Sequence, residues 1–182
     1  MNIYSSRPVV LCLSGHDPSG GAGLQADIEA LLVQGCHAAP VVTALTVQNT
    51  VNVSDFRVLD REWVLAQANA VLSDSEVAAV KLGMLGSTAM VDTVVELLQA
   101  HPHLPVVCDP VLRAGGGGSL GKDEVGYAMR ERLLPLSLIA IVYIGLVALV
   151  QEDMKKLVAA LHTPEVKAFI LEKYKGAIVP AF

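Results

Sequence analysis

The chain has 182 residues, enough for one domain with a substantial core and too few for two large domains. Hydrophobic residues make up 53% and charged residues 17% of the sequence, and the mean hydropathy is +0.51, which excludes a disordered chain. Because 13 Lys and Arg stand against 18 Asp and Glu, the net charge of −5 argues against a nucleic-acid partner and favours a small molecule.

Short apolar runs alternate with amphipathic segments along most of the chain. Runs typical of buried strands lie at 8–13, 39–46, 78–82 and 105–108. Segments with apolar residues at three- and four-residue spacing predict helices over 23–34, 61–72, 88–100 and 122–133. The alternation predicts right-handed βαβ units in a three-layer, doubly wound α/β fold, flavodoxin-like or Rossmann-like, with a mostly parallel sheet of five strands.

The fifth strand is expected within a long uncharged run. No charged residue lies from Leu133 to Val150, which is long enough to span a bilayer. Pro135 and Gly145 interrupt the run, and its many β-branched residues favour a strand buried on both faces over a membrane helix. Helices predicted over 151–161 and 163–174 then complete a single domain over residues 1–182.

Cysteine usage and the N-terminus bear on the compartment. Cys12, Cys36 and Cys108 lie far apart in apolar surroundings without metal-ligand spacing, which is typical of reduced core residues in a cytosolic protein. The first ten residues lack the basic region and long apolar segment of a signal peptide. We therefore expect a cytoplasmic protein without a membrane partner.

A glycine-rich loop, SGHDPSGGAG at residues 14–23, joins the first predicted strand to the first predicted helix. Ligands in parallel sheets bind beyond the carboxyl ends of the strands, and the amides at a helix start can receive a polar or anionic group. Neither a Walker A sequence nor a GxGxxG fingerprint is present. Asp27, one turn into the helix, either offsets the helix dipole or reaches a ligand above the sheet.

Four motifs follow one another at the ends of predicted strands: LSGHDPSGGAGLQAD at 13–27, TALTVQNT at 43–50, VKLGML at 80–85 and CDPVL at 108–112. In this order they resemble the motifs of hydroxymethylpyrimidine/phosphomethylpyrimidine kinases, thiamine-pathway members of the ribokinase superfamily. The resemblance covers about residues 7–136. It implies phosphorylation of a pyrimidine alcohol, and then of its monophosphate, with ATP and magnesium.

By this resemblance, the pyrimidine-binding positions are Gly15, Asp27, Gln48, Met84 and Val111. The residue types suit the ligand, because a carboxylate and an amide can pair with ring nitrogen, amino and hydroxymethyl groups. Methionine and valine offer apolar surface to the ring.

The resemblance also places Asp109 near the phosphates and magnesium, where a lone carboxylate would hold only a hydrated ion. The alternative for Asp109 is a strand-end cap for the loop at 115–118. Lys81 is the first lysine of the chain, and both a solvated position and a functional one stay open for it.

Beyond Leu136 the sequence departs from the family pattern. The Thr-Pro-Asn motif, the glycine-rich lysine strand and the Gly-Thr-Gly-Cys loop of the family are absent. In the family that last loop forms the anion hole beside the catalytic base, and electrostatic stabilisation supplies most of phosphoryl-transfer catalysis. We therefore assign no catalytic residue and expect that catalysis is lost.

The last part of the chain resembles a different family. QEDMKKLVAAL through KYKGAIVPAF, at residues 151–182, is similar to the C-terminal end of NLPA-type methionine-binding lipoproteins. Arginine also disappears after residue 132 while lysine becomes frequent. Composition alone would favour a natural chain with a lysine-rich last pair of helices. Together with the two resemblances it predicts an engineered or recombined chimera, with a kinase-like part over 1–136 and a binding-protein-like part over 137–182, joined between about Leu136 and Val150.

The expected function is accordingly that of an inactive α/β scaffold with residual binding of a pyrimidine or a phosphate. An exposed sheet edge, where later kinase strands would pair, leaves both a homodimer and aggregation open. The alternative is an ATP-dependent hydroxymethylpyrimidine/phosphomethylpyrimidine kinase, which would require ATP and Mg²⁺.

Overall fold

A six-stranded sheet forms the centre of the part of the chain that the computed structural model describes, residues 7–141. Its strands, in chain order, are β1 Val9–His16, β2 His37–Gln48, β3 Val53–Val58, β4 Val77–Leu82, β5 Val106–Cys108 and β6 Ile139–Ala140. Their spatial order is β3-β2-β1-β4-β5-β6, with β3 antiparallel to β2 and every other pair parallel. The predicted mostly parallel α/β fold is confirmed.

The helices of the described residues connect these strands. They are α1 Gly23–Val33, α2 Arg61–Asp74, α3 Thr88–Ala100 and α4 Asp123–Ala128. The segment predicted as one helix over 122–133 instead continues from α4 as a π-helical turn, Met129–Leu133, and a 3₁₀ turn, Leu134–Leu136. Pro135 has no backbone N–H to donate, so a regular α-helix does not continue through it.

Alternate residues of β1 enter two different cores, which gives the three layers. Leu11 and Leu13 are fully buried in the larger cluster, with residues of α2, α3 and α4. Cys12 is buried on the opposite face, in a small cluster with Leu24 of α1 and Ala38 of β2. Because β1 is covered on both faces, it is a nearly continuous apolar run, as is typical of a central parallel strand.

Two strands differ from the sequence-based expectation. β3, with the sequence VSDFRV, raises the count from five to six, and its alternate polar residues face solvent at the edge of the sheet. β6 comes from the uncharged run but is only two residues long, and Ile139 is 42% exposed. The described part of the run therefore does not form a strand buried on both faces.

Several expectations fall on residues 142–182 and lie outside the described residues. They are the rest of the uncharged run, the two C-terminal helices and the extension of the single domain to residue 182. Within residues 7–141, no helix is long and apolar enough to cross a membrane.

Replacing Leu97 by Ala tests the contribution of α3 to the core. Leu97 is 5% exposed in the larger cluster, so we expect the free energy of unfolding to fall by about 2–5 kcal/mol. Leu32→Ala is the matched control, because Leu32 also lies in a helix but is 56% exposed; there the change should stay below about 0.5 kcal/mol. Urea denaturation followed by circular dichroism measures both, and equal losses would contradict this assignment of the core.

Candidate functional site

The candidate site lies at the carboxyl ends of β1, β4 and β5, and the start of α1 is pressed against it. Gly23, the first residue of α1, has φ +57°, a left-handed conformation that glycine adopts without steric cost. A Cβ at Gly23 would lie 2.3 Å from the carbonyl oxygen of Gly15. The absence of a side chain therefore lets α1 begin in direct contact with the end of β1.

Asp17 holds the glycine-rich loop in shape. Its Oδ1 accepts hydrogen bonds from the backbone amide of Ser19 at 2.8 Å and from the Ser19 hydroxyl at 2.7 Å. Burial raises the pKa of Asp17, but these bonds and the amides of Ala22 and Gly21 outweigh it and hold the pKa below its ordinary value. Asp17 is thus an ionised organiser of the loop.

Three of the five resemblance-based residues form an apolar wall. Met84, which follows β4, is 4% exposed and clusters with Ala44 and Leu120, and Val111 packs against this cluster. Gly15 lies opposite the Met84 side chain, since a Cβ on Gly15 would be 3.0 Å from the Met84 sulfur. The wall thus joins the ends of three neighbouring strands, as expected for a parallel sheet.

Beside this wall lies a charged triad of Asp27, Lys81 and Asp109. The Lys81 Nζ lies 2.7 Å from Asp27 Oδ1 and 3.9 Å from Asp109 Oδ2. The three side chains are 13%, 20% and 14% exposed for Asp27, Lys81 and Asp109 respectively. Asp27 lies beyond the first turn of α1, which contains no acidic residue. Its carboxylate therefore pairs with Lys81 rather than offsetting the helix dipole.

Gln48 lies apart from the triad. It ends β2 and lines a cleft of about 330 Å³ that the β2–β3 hairpin forms with residues such as Asn52 and Ser54. Its link to β1 runs through Thr46, whose hydroxyl lies 3.3 Å from Gln48 Oε1 and donates to the carbonyl of His16 at 2.8 Å. The structure therefore places Gln48 on the hairpin side of the site.

The hairpin also contacts the loop that follows Val111, a feature that the motifs did not indicate. The amide of Gly118 donates to Asn52 Oδ1 at 3.1 Å. A Cβ at Gly116 would lie 2.2 Å from the carbonyl oxygen of Val51, so this close approach requires glycine. The run of four glycines at 115–118 was the available signal, but its partner lies far away in the sequence.

Two buried thiols lie next to the triad. Burial, followed by the charge of Asp27, raises the pKa of Cys12 to about 12, against the opposing effect of Lys81. Burial and Asp109 likewise raise the pKa of Cys108 to about 12. Both thiols keep their protons at neutral pH and are free core residues as predicted, whereas Cys36 is partly exposed.

Comparison with known proteins bears on what this site does. The family model "Phosphomethylpyrimidine kinase" matches residues 17–171. Hydroxymethylpyrimidine/phosphomethylpyrimidine kinases are 43% identical over 133 residues in Streptomyces coelicolor and 37% identical over 128 residues in Haemophilus influenzae. These alignments cover 73% and 70% of this chain but 49% and 48% of the relatives, so the chain spans about half the length of the curated relatives it matches.

A solved structure is similar over a larger part of the chain. The phosphomethylpyrimidine kinase of Clostridium difficile superposes with a TM-score of 0.73 at 30% sequence identity. The superposition covers 91% of this chain and 71% of that one.

These matches correct the expected chimera. The family model spans the expected junction between about Leu136 and Val150 and most of the segment assigned to a lipoprotein, and the comparisons give no support to a second source. The expectation of an inactive scaffold is wrong, because the relatives found are kinases of thiamine biosynthesis. The motifs at four strand ends and the family match together show that the chain belongs to the phosphomethylpyrimidine kinase family.

Proposed function

We propose that the chain binds hydroxymethylpyrimidine or its monophosphate beside Met84 and phosphorylates it with ATP as the phosphoryl donor. The observation that carries the proposal is the pairing of an apolar wall with two carboxylates held by one lysine. A flat heterocycle with polar edges needs such a site, in which apolar surface binds the ring and a few fixed polar groups orient it.

Each part of the site has a role in this proposal. The ring lies against Met84 and Val111, and Gly15 at the end of β1 leaves room for the Met84 side chain that supports this surface. Asp27 accepts a hydrogen bond from the amino group of the ring, and Gln48 closes over the substrate from the hairpin side. These contacts orient the nucleophile for in-line attack on the γ-phosphorus of ATP, so that ADP leaves as the new O–P bond forms. The nucleophile is the hydroxymethyl oxygen of the alcohol, whose proton passes to water, or a phosphate oxygen of the monophosphate.

Asp109 is the residue that would hold magnesium. Residues 7–141 contain no group of three side chains suited to hold a metal ion. One carboxylate is nevertheless adequate for Mg²⁺ bound together with ATP, because substrate phosphates and waters commonly complete its shell. When bound, the ion would neutralise charge on the phosphates, and the chain's own contribution is the Asp109 carboxylate beside Lys81.

The proposal also places the protein in the cytoplasm, where ATP is available and where the unpaired Cys12 and Cys108 would stay reduced.

Replacing Asp27 by Asn tests the proposed pyrimidine contact. The amide removes a charge-assisted hydrogen bond, so we expect kcat/KM for hydroxymethylpyrimidine to fall about 10- to 100-fold. Product formation is measured by chromatography with ATP and Mg²⁺ present. Glu29→Gln is the matched control and should keep wild-type activity, because Glu29 is exposed in the same helix and accepts a hydrogen bond from the exposed Gln25. Absence of product from the unmodified chain would refute the kinase proposal itself.

Gly23→Ala tests the contact between α1 and β1. The methyl group would meet the Gly15 carbonyl, so α1 must shift and carry Asp27 with it; we expect affinity for hydroxymethylpyrimidine to fall roughly tenfold or more. Gly35→Ala is the matched control, since Gly35 also has positive φ, at 74°, but among residues 7–141 no atom beyond its own chain neighbours lies within 4 Å of its Cβ position. Calorimetric titration should show unchanged affinity there, and equal losses in both variants would argue against the contact.

A further inference from the structure

We propose that Lys81 is a positioning residue that holds the Asp27 carboxylate in its binding orientation. The inference rests on the proposed function and deepens it, because it names what fixes the group that receives the pyrimidine. Lys81 itself does not need to touch the substrate.

Lys81 lies in an interior strand of the sheet. It is in β4, which has a strand on each side, and it pairs in register with Cys12 of β1 and Val107 of β5. Its neighbours Val80 and Leu82 are buried in the larger core, so Lys81 projects from the opposite face, on which α1 packs. A lysine in such a strand is costly unless it is paired, and Asp27 of α1 supplies the partner.

Lys81 contacts one particular oxygen of the Asp27 carboxylate. Lys81 Nζ contacts Asp27 Oδ1 at 2.7 Å. The other oxygen, Asp27 Oδ2, is buried and has no hydrogen-bond partner among the described residues. A buried carboxylate oxygen left without a partner is rare in a folded protein. Lys81 thus fixes one oxygen and leaves the other to accept a hydrogen bond from a ligand.

The balance of charge in the triad also depends on Lys81. Asp27 and Asp109 lie on either side of Lys81, so one ammonium faces two carboxylates. Without the ammonium the two carboxylates would repel each other, and the side chain of Asp27 would turn to water. The Asp27 carboxylate would then still be present, but it would not point toward the substrate.

The test measures KM and kcat for hydroxymethylpyrimidine in Lys81→Met, with Lys122→Met as the control at an exposed lysine. A residue that acts by orienting Asp27 changes binding of ground state and transition state alike. We therefore expect KM to rise about tenfold or more while kcat changes less than about threefold. Lys81→Arg should recover most of the loss, because it keeps the charge. Lys122→Met should keep both constants.

A double-mutant cycle shows whether Lys81 acts through Asp27. In the Asp27→Asn background, Lys81→Met should raise KM by less than about twofold further, since the group it positions is already gone. Multiplicative losses would overturn the inference. So would a fall in apparent kcat at unchanged KM, which is what a purely structural role produces by lowering the folded fraction.

Folding of each variant is checked by thermal denaturation, and Lys81→Gln replaces Lys81→Met if the latter does not fold. Glutamine loses the charge of lysine but keeps a hydrogen-bond donor, so we expect a smaller rise of KM than in Lys81→Met, about threefold or more. An unchanged KM would overturn the inference. Failure of the wild-type chain to bind or phosphorylate hydroxymethylpyrimidine refutes the proposed function and this inference with it. Wild-type turnover together with wild-type KM in Lys81→Met refutes this inference alone.

Discussion

The ion pair between Asp27 and Lys81 is the interaction on which the arrangement of the site depends. A charged lysine in a central strand needs a partner, and the partner lies on the helix that crosses that face of the sheet. Helix α1 can reach Lys81 only because it begins directly at the end of β1, where Gly23 contacts the Gly15 carbonyl. The glycine-rich loop, the path of α1 and the lysine in β4 therefore depend on one another, although they lie in three separate segments of the sequence.

Within the described residues, one face of the sheet carries the larger apolar core and the other carries the charged groups of the site. Helices α2, α3 and α4 bury the larger apolar cluster on one face, including the fully buried Leu11 and Leu13. On the other face α1 covers a small cluster, and the polar groups of the triad lie beside it. Burial of aliphatic side chains contributes most to folding free energy, so the apolar face can offset the cost of holding three charges on the other.

Much of this architecture follows from sequence because parallel strands buried on both faces are continuous apolar runs. β1, β2, β4 and β5 lie where their runs predict them, within a few residues. The sequence does not predict β3, because half of its residues are polar, as is typical of a loop. It leaves the role of Lys81 open, because a sequence does not show that Asp27 of α1 lies against it. The change from arginine to lysine after residue 132 was misleading as evidence for a junction, because the family match continues to residue 171.

The hairpin and the four-glycine loop couple the two sides of the site. Asn52 accepts from the Gly118 amide, and Asn49 fixes the turn by accepting from the amides of Val51 and Asn52. The loop held in this way follows Val111, and the turn of the hairpin follows Gln48. A movement of the hairpin must therefore either break this contact or carry the loop with it.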